Sequence, residues 1–590
     1  MFTRALSWLK KEFREHAWGL IAAALVGVIC VLPQLWFMVS LGSGYHGLHF
    51  FATPNEEAYL AIMQEIVDGH PLAASVPFFE YKNALPLLPP TIPFLYVAAS
   101  LLLHLSLVNT LIISKFFLPA ILFFLVYLFL CQLLNAQSDR LGKFTAIAGA
   151  GLVTLGFDLV DYRSIWKILT GQFSIGGFLI WTRPVNPISG LILLYIFLLS
   201  LWALISKKSR FSILPAALSL ALMMASYFFS WSLALTIAGL LGLRALVKRD
   251  WWLLKCLIST VFLGLFFSLP YWIMVWRAAK LPWYAEASAR IGFFATHAPH
   301  LNKFLLAVSV FFALASIVHY FRKSKEEHLP EWWWFCVALL LSCFVVYNQQ
   351  VITGHEIWYY HYVFFTIPLA YTVAVLTFWH LVKIRALFKW IVVVIVGLAS
   401  LALGCYTQIS AYKTGFNFFA GLQKDATVFD YFRSNGAKDC VVLINESEVL
   451  WSELVPAFTQ CNTYISTERF VIAPPDRFYH NYLVLLRLRG VPADHIEGYL
   501  QEHLSEARSF LNFHLQSTLG FPDREFDETL HRLPADYKAF VKKDFFVELN
   551  RYRLDYILSV GPLDSGVAKS LSVIKKVFEQ NGVSIYILSK

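Results

Sequence analysis

Apolar runs about 20 residues long, the length that crosses a bilayer as a helix, recur along the first two thirds of the chain and then stop. One further apolar segment, residues 90–107, lacks a basic cluster between itself and the next run, so we expect a juxtamembrane or re-entrant helix there. The pattern predicts eleven transmembrane helices near residues 19–41, 110–134, 143–158, 188–206, 211–228, 230–246, 253–276, 303–321, 332–349, 362–382 and 389–407.

The basic residues cluster in the short loops between these runs, which is typical of cytoplasmic loops. Eleven spans then place the amino terminus in the cytoplasm and the carboxy-terminal part outside, in a multi-pass protein of the inner or plasma membrane. The net charge of +10 therefore reflects topology, and we expect membrane lipids but no nucleic acid as partners. The predicted outer loops are residues 42–89, 159–187, 277–301 and 347–361.

The composition changes near residue 407, which predicts a transmembrane domain over residues 1–407 and a soluble extracytoplasmic domain over residues 408–590. In the second part, buried-strand patterns such as DCVVLIN and LDYILSV alternate with helical patterns, so we expect a mixed α/β domain. Cys440 and Cys461 could form a disulfide in an oxidising compartment. The fold class is thus a polytopic α-helical membrane protein with a carboxy-terminal α/β domain.

Ionisable side chains are nearly absent from the middle of the predicted spans. Ion-coupled transporters usually keep such groups at mid-membrane as relays or substrate sites. Their scarcity disfavours a lipid or solute transporter, and it indicates that any chemistry takes place in the outer loops.

The first outer loop contains the stretch TPNEEAYLAIMQEIVDGHPL, residues 53–72. Thr53 and Glu56 fit a capping box, and the apolar spacing predicts a helix over residues 54–68 that lies along the membrane surface with juxtamembrane helices around it. On this helix Glu57 faces water, whereas Asn55 and Glu56 point towards the apolar side. A buried carboxylate is costly, so Glu56 needs a cation, a proton or a metal.

The motif Asn55-Glu56-Glu57-Ala58-Tyr59 resembles the Asp-Glu-x-x-Tyr motif of the GT-C superfamily of membrane glycosyltransferases. The later Phe-Glu-Tyr-Lys of residues 79–82, followed by NALPLLPP, is similar to a second motif of the aminoarabinose transferases in that superfamily. The resemblance implies a GT-C fold and transfer of a sugar from a polyprenyl-phosphate carrier to a glycan, lipid or protein acceptor on the extracytoplasmic face. A polymerase or ligase of lipid-linked glycans is the alternative.

The resemblance also implies the catalytic carboxylates. Asn55 stands where the family has its leading Asp, so either Glu56 takes the role of general base or the register shifts by one residue. Glu57 beside it is a further candidate, and Asp158 and Asp161 occupy the place of a second acidic position found after the third span. Glu56 and Asp158 are the possible ligands of a divalent metal, Mg or Mn.

Cations are needed beside the departing phosphate. Lys82 matches the lysine of the family's second motif and is our first candidate, and Arg183 is the second because a guanidinium can hold a phosphate through two contacts. The loop over residues 347–362 adds polar side chains that could contact pyrophosphate or sugar, although its histidines lack the spacing of a zinc site. The predicted donor-binding residues are therefore Lys82, Arg183, Tyr59, Glu80, His355 and His361.

Overall fold

The computed structural model describes residues 14–136, 139–172, 175–321, 329–445, 450–467, 470–513, 524–563, 566–567, 571 and 574–588. Parts of two predicted basic loops, residues 10–13 and 322–325, lie outside this range. In the first 422 residues the α-helices are α1 (Ala17–Leu41), α2 (Glu56–Val67), α3 (Thr91–Leu103), α4 (Leu107–Leu133), α5 (Arg140–Thr154), α6 (Tyr162–Leu169), α7 (Ile188–Lys207), α8 (Ile213–Met224), α9 (Phe228–Val247), α10 (Trp251–Phe267), α11 (Leu269–Ala278), α12 (Tyr284–Arg290), α13 (Lys303–Phe321), α14 (Glu331–Tyr347), α15 (Gln350–Thr353), α16 (Val363–Leu381) and α17 (Ala386–Leu422).

Within the described residues, seven helices are long and apolar enough to cross a membrane, namely α1, α4, α7, α9, α13, α16 and α17. The pair α10 and α11, bent by 54° at its junction, would make an eighth span. The chain is therefore a membrane protein. Every predicted span falls on a helix, but α5, α8 and α14 have only 15, 12 and 17 residues, so the count of eleven stays a prediction.

The membrane helices pack around one apolar core to which α4, α7, α9, α14 and α16 contribute. Close approach of α1 to α4 depends on a glycine. A Cβ atom on Gly27 would lie 2.7 Å from the carbonyl oxygen of Phe116, so any larger residue would push the two helices apart. This packing fixes the amino-terminal half of α4, which carries a residue of the site described below.

The chain after α17 combines helices with a mixed sheet. The helices are α18 (Ala426–Asn435), α19 (Leu450–Phe458), α20 (Pro475–Leu488), α21 (Ile496–Glu502), α22 (Leu504–Phe510), α23 (Arg524–Val541) and α24 (Phe545–Leu549). A two-stranded sheet joins β1 (Phe293–Ala295) to β2 (His355–Ile357) in the outer loops, and the five-stranded sheet contains β3 (Val441–Asn445), β4 (Asn462–Thr463), β5 (Tyr556–Val560), β6 (Ile574–Gln580) and β7 (Val583–Leu588).

The strand order of the five-stranded sheet is β4-β3-β5-β7-β6. Strand β3 runs parallel to β4 and β5, whereas β7 pairs antiparallel with both β5 and β6. Cys440 and Cys461 form a disulfide next to β3 and β4, as the sequence suggested. The boundary predicted between residues 407 and 408 falls inside a single helix, since α17 continues to Leu422.

Helix α2 packs against α19, and one of the acids predicted on its polar face is buried. Leu60 and Met63 of α2 share an apolar cluster with Trp451 and Leu454 of α19. Glu65, predicted on the polar face, is only 4% exposed. The prediction that Glu65 lies on a water-facing side is therefore wrong, because the periodicity of α2 could not include partners from elsewhere in the chain.

Candidate active site in the first outer loop

Helix α2 begins at Glu56, two residues later than predicted, and Asn55 is its N-cap. Asn55 is exposed and has left-handed backbone, with φ 57°, which Asn and Asp adopt more readily than most other residues. Its side chain makes no capping hydrogen bond. The predicted capping box is thus absent, because the hydroxyl of Thr53 donates to the Glu56 side chain instead, at 2.7 Å.

Glu56 is fully buried and points to the apolar side, as predicted. Its Oε1 forms an ion pair with Nζ of Lys115 from α4 and lies 2.8 Å from Nε2 of His49. Burial raises the pKa of Glu56, but the Lys115 ammonium and the His49 hydrogen bond outweigh it and bring the pKa to about 2. Glu56 is therefore a charged carboxylate at neutral pH.

Lys115 connects this carboxylate to a second segment of the site. The ammonium donates a hydrogen bond of 3.2 Å to the carbonyl oxygen of Thr182, at the end of the 3₁₀-helix Ile180–Thr182. Lys115 is 2% exposed, so both of its contacts lie inside the protein. The next residue along the chain is Arg183.

Arg183 in turn contacts a residue of α2. Its Nη2 donates to the hydroxyl of Tyr59 at 3.2 Å, and its guanidinium carbon lies 5.3 Å from the centroid of that ring. Arg183 is 7% exposed, yet its Nε atom is buried and has no hydrogen-bond partner. A buried donor left unpaired costs free energy, which indicates a site built to receive an acceptor.

Glu57 is half-buried and does not face water as predicted. Its carboxyl group hydrogen bonds with Glu453 of α19, and the positive charge of Arg183 acts on it. Burial, followed by the negative charge of Glu56, raises the pKa of Glu57 above its ordinary value. The prediction failed because α19 covers this side of α2.

His361 is near enough to Arg183 for the charge of the guanidinium to act on it. The Nδ1 atom of His361 is 2.5 Å from the hydroxyl of Tyr227, and its ring centroid is 5.0 Å from that of Trp358. The indole Nε1 of Trp358 is a second buried donor without a partner. Of the predicted site residues, the structure thus brings together Glu56, Glu57, Tyr59, Arg183 and His361.

Lys82 and Glu80 belong to other contacts. Lys82 is 4% exposed and pairs with Glu65 at 3.1 Å and with Asp439 at 2.5 Å. Glu80 lies 3.6 Å from the buried guanidinium of Arg477. Both residues thus join the first outer loop to the carboxy-terminal part of the chain.

Asp158, Asp161 and His355 are exposed and have no described contact with Glu56 or Arg183. Asp161 caps α6, where its Oδ2 accepts from the hydroxyl of Ser164 at 2.6 Å. That hydrogen bond lowers the pKa of Asp161. The ring of His355 stacks on Phe293 of the β1–β2 ribbon.

The residues around Glu56 do not fit the predicted magnesium or manganese site. Both oxygens of Glu56 already accept from internal donors, and one of those donors is a cation. Across the described part of the chain, no three His, Cys, Asp or Glu side chains are grouped so that they could hold a metal ion. The other proposed ligand, Asp158, is exposed elsewhere.

Sequence reasoning missed Lys115, His49, Tyr227 and Glu453. Lys115 carried a signal, since a lysine within an apolar run is rare and usually functional. His49 lies seven residues before Glu56 but matches no local pattern. Glu453 and Tyr227 reach the site only through the tertiary fold, so no spacing in the sequence indicates them.

Comparison with known proteins defines the fold. A solved structure of the mycobacterial arabinofuranosyltransferase AftD superposes on 98% of this chain with a TM-score of 0.50 and 13% sequence identity. The chain has the GT-C fold. It spans 40% of the length of AftD. The GT-C fold that the motifs implied is thereby confirmed.

Two further structures resemble this GT-C chain. ArnT from Cupriavidus metallidurans, solved with undecaprenyl phosphate, aligns with 97% of the chain and 98% of its own length, at 10% identity and TM-score 0.47. An oligosaccharyltransferase from Archaeoglobus fulgidus aligns with 94% of the chain and 70% of its own length, at 12% identity and TM-score 0.44. No protein-family model matches the sequence, and no curated protein matches it.

Proposed function

We propose that this chain is a membrane glycosyltransferase that moves a sugar from a polyprenyl-phosphate carrier to a glycan, lipid or protein acceptor on the extracytoplasmic face. The GT-C fold supports sugar transfer as the reaction class. The observation that carries the proposal is that a carboxyl group and a buried cation lie close together. The charge of Arg183 acts on Glu57, and Arg183 donates to Tyr59 while its Nε has no partner.

Glu57 is the better general base of the two adjacent glutamates. A base needs access to the acceptor hydroxyl and an affinity for its proton near the working pH. Glu56 is fully buried, and its pKa of about 2 makes it a weak base. Glu57 is partly accessible and has a raised pKa, so in our proposal it takes the role first assigned to Glu56.

Arg183 is the proposed partner of the carrier phosphate. Its buried Nε and the indole Nε1 of Trp358 are both unpaired donors, and His361 contacts Trp358 and is influenced by the charge of Arg183. Phosphate oxygens would satisfy both donors, and a guanidinium in a poorly hydrated site stabilises the charge that develops on a departing phosphate.

In the proposed reaction, the acceptor hydroxyl oxygen attacks the anomeric carbon of the sugar. A new C–O bond forms as the bond between that carbon and the phosphate oxygen breaks. Glu57 takes the hydroxyl proton, and the bonding electron pair leaves with the carrier phosphate, which Arg183 holds. The balance of atoms and charge requires no further reactant.

The test is transfer of labelled sugar by the purified protein in nanodiscs, with a panel of polyprenyl-phosphate sugars and crude envelope acceptors. Glu57→Gln should lower kcat at least about 100-fold, in the range seen for loss of general base catalysis. Arg183→Met should raise the KM for the carrier and lower kcat as well. The exposed Glu502 and Arg163 supply matched controls, Glu502→Gln and Arg163→Met, which should keep full activity.

Full activity of Glu57→Gln would exclude Glu57 as the base. The absence of transfer from every carrier, with a folded wild type, would contradict the proposed function itself.

A further inference from the structure

We propose that Lys115 is the built-in cation of this site: it holds Glu56 and positions Arg183, so that the site operates without a divalent metal. The catalytic part of this inference rests on the proposed function. Its structural content, the use of Lys115 where the family resemblance implies a metal, can be tested separately.

The first observation is that both oxygens of Glu56 already accept from internal donors. Its Oε1 accepts from Lys115 and His49, and its Oε2 accepts from Thr53. The side chains of Glu56, Lys115 and His49 are all at most 1% exposed. A metal at Oε1 of Glu56 would have to displace an ammonium group that is already paired with that oxygen.

The second observation is that the contacts form a closed ring. Glu56 and Tyr59 are three residues apart on α2 and therefore lie on the same side of that helix. Lys115 of α4 joins Glu56 to the carbonyl of Thr182. Arg183, the next residue, then donates to Tyr59. The ring fixes the position of the guanidinium relative to α2.

The third step concerns charge. A buried ion pair is costly to break, because the remaining partner is left charged and unpaired in a poorly polarisable environment. The pair of Lys115 and Glu56 is therefore formed before any substrate binds. A divalent cation at Glu56 would also lie beside the ammonium, and two positive charges at that distance repel strongly when water is excluded.

Lys115 thus acts through Arg183, as a positioning residue. Losing it would let the Thr182–Arg183 segment shift, and a displacement of about 1 Å at a catalytic group can cost about 100-fold in rate. Arginine at position 115 could keep both contacts, because a guanidinium can also pair with a carboxylate and donate to a carbonyl.

The first experiment titrates the purified wild type with MnCl₂ and follows bound manganese by electron paramagnetic resonance. We expect no saturable binding that depends on Glu56. Saturable binding in the wild type that is lost in Glu56→Gln would overturn the proposal. Transfer activity, where it is measurable, should be unchanged by EDTA, and loss of activity that manganese restores would also overturn it.

The second experiment measures binding of undecaprenyl phosphate to Lys115 variants by quenching of intrinsic tryptophan fluorescence. Lys115→Met should weaken this binding about 10-fold or more through displacement of Arg183, and Lys115→Arg should restore it. If Lys115→Met does not fold, the double variant Lys115→Met/Glu56→Gln is used in its place, because it leaves neither charge of the pair buried alone. Lys542→Met, at an exposed lysine, is the control and should bind as the wild type does.

Wild-type affinity in the folded Lys115→Met or double variant would overturn the positioning role. These binding measurements do not depend on turnover. A protein that transfers no sugar but shows the expected manganese and carrier results would contradict the proposed function alone.

Discussion

The ammonium of Lys82 lies 2.5 Å from Oδ1 of Asp439 and ties the first outer loop to the segment just before β3. The same nitrogen is 3.1 Å from Oε2 of Glu65 on α2. Lys82 is thus shared by two carboxylates, and its side chain is 2% exposed. The lysine that resembles the family's second motif is held in an internal contact, while Lys115 and Arg183 supply the positive charge of the site.

Breaking this contact should destabilise the protein. Burial raises the pKa of Glu65 to about 8, so Asp439 is the charged partner of Lys82 at neutral pH. Lys82→Met leaves this largely buried carboxylate without its cation, and loss of one partner of such a pair costs about 3 kcal/mol. We expect a clear fall in the thermal unfolding midpoint of the detergent-solubilised protein. The double variant Lys82→Met/Asp439→Asn should recover much of that loss, because no carboxylate is then left without its cation.

A Lys82→Met protein with unchanged stability but a raised KM for the carrier would contradict this interpretation. That result would return Lys82 to the phosphate-binding role that the motif suggested.

The hydroxyl of Tyr59 should matter for carrier binding. Tyr59→Phe removes the acceptor of the Arg183 hydrogen bond but keeps the aromatic ring under the guanidinium. A hydrogen bond to a charged group contributes about 1.5 kcal/mol, so the KM for the polyprenyl-phosphate donor should rise roughly 10-fold. Steady-state kinetics with varied donor would check this.

Arg183 should then be less well fixed but still present, so kcat should fall less than in Arg183→Met. An effect of Tyr59→Phe on acceptor KM alone would argue that Tyr59 faces the acceptor and not Arg183.

Glu56 should contribute a pH-dependent part of the stability. Its pKa is about 2 in the folded protein, below the ordinary value of 4.5, so the ionised form is favoured by folding. This contribution is complete above pH 4.5 and is lost as the pH falls towards 2. The shift corresponds to about 3 kcal/mol in total.

The unfolding midpoint of the wild type should therefore decrease between pH 4.5 and pH 3 by more than that of Glu56→Gln, which carries no titrating group at this position. Equal acid dependence of the two proteins would show that Glu56 is not held charged by Lys115. The carboxylates other than Glu57, whose pKa the charge of Glu56 raises, have the same surroundings in both proteins and cancel in the comparison.

The sequence predicted the membrane part well because helix length and apolar runs are local properties. Each predicted span lies on a helix, and the predicted bounds of α7, α9 and α16 differ from the observed ones by only one or two residues. The surroundings of α2 were not predictable in this way. Its faces are covered by α19, and no periodicity within residues 54–68 can indicate a partner from residues 450–458.

In the site, too, local features were predictable from the sequence and tertiary contacts were not. The prediction that Glu56 needs a cation follows from its place on the helix, and the structure confirms the need. The sequence did not identify that cation: Lys82 was predicted to bind the carrier phosphate, and the structure pairs Lys82 with Asp439 while α4 supplies Lys115 to Glu56. Lys115 lies within the apolar run predicted to span the membrane at residues 110–134, and it was not considered as a candidate. Arg183 and His361 were both named as candidates, but their contacts with Tyr59 and Tyr227 depend on how the loops meet.

The last prediction concerns the side of the membrane that holds the carboxy-terminal part. Cys440 and Cys461 are disulfide-bonded, and such bonds persist in oxidising compartments, so residues 426–588 should lie outside the cytoplasm. An alkaline phosphatase fusion after residue 590 should be active, while a fusion after residue 208, in a predicted cytoplasmic loop, should be inactive. The purified chain should also show the disulfide as a mobility shift on reduction.

Replacing both cysteines by serine should lower the free energy of unfolding of this part by about 3 kcal/mol, the value expected for closing a loop of this length. The pair is separated by 21 residues and joins the ends of β3 and β4. An inactive carboxy-terminal fusion together with reduced cysteines in the isolated protein would reverse the proposed orientation. It would also place Glu57 and Arg183 on the cytoplasmic side, because α2 and α19 pack together.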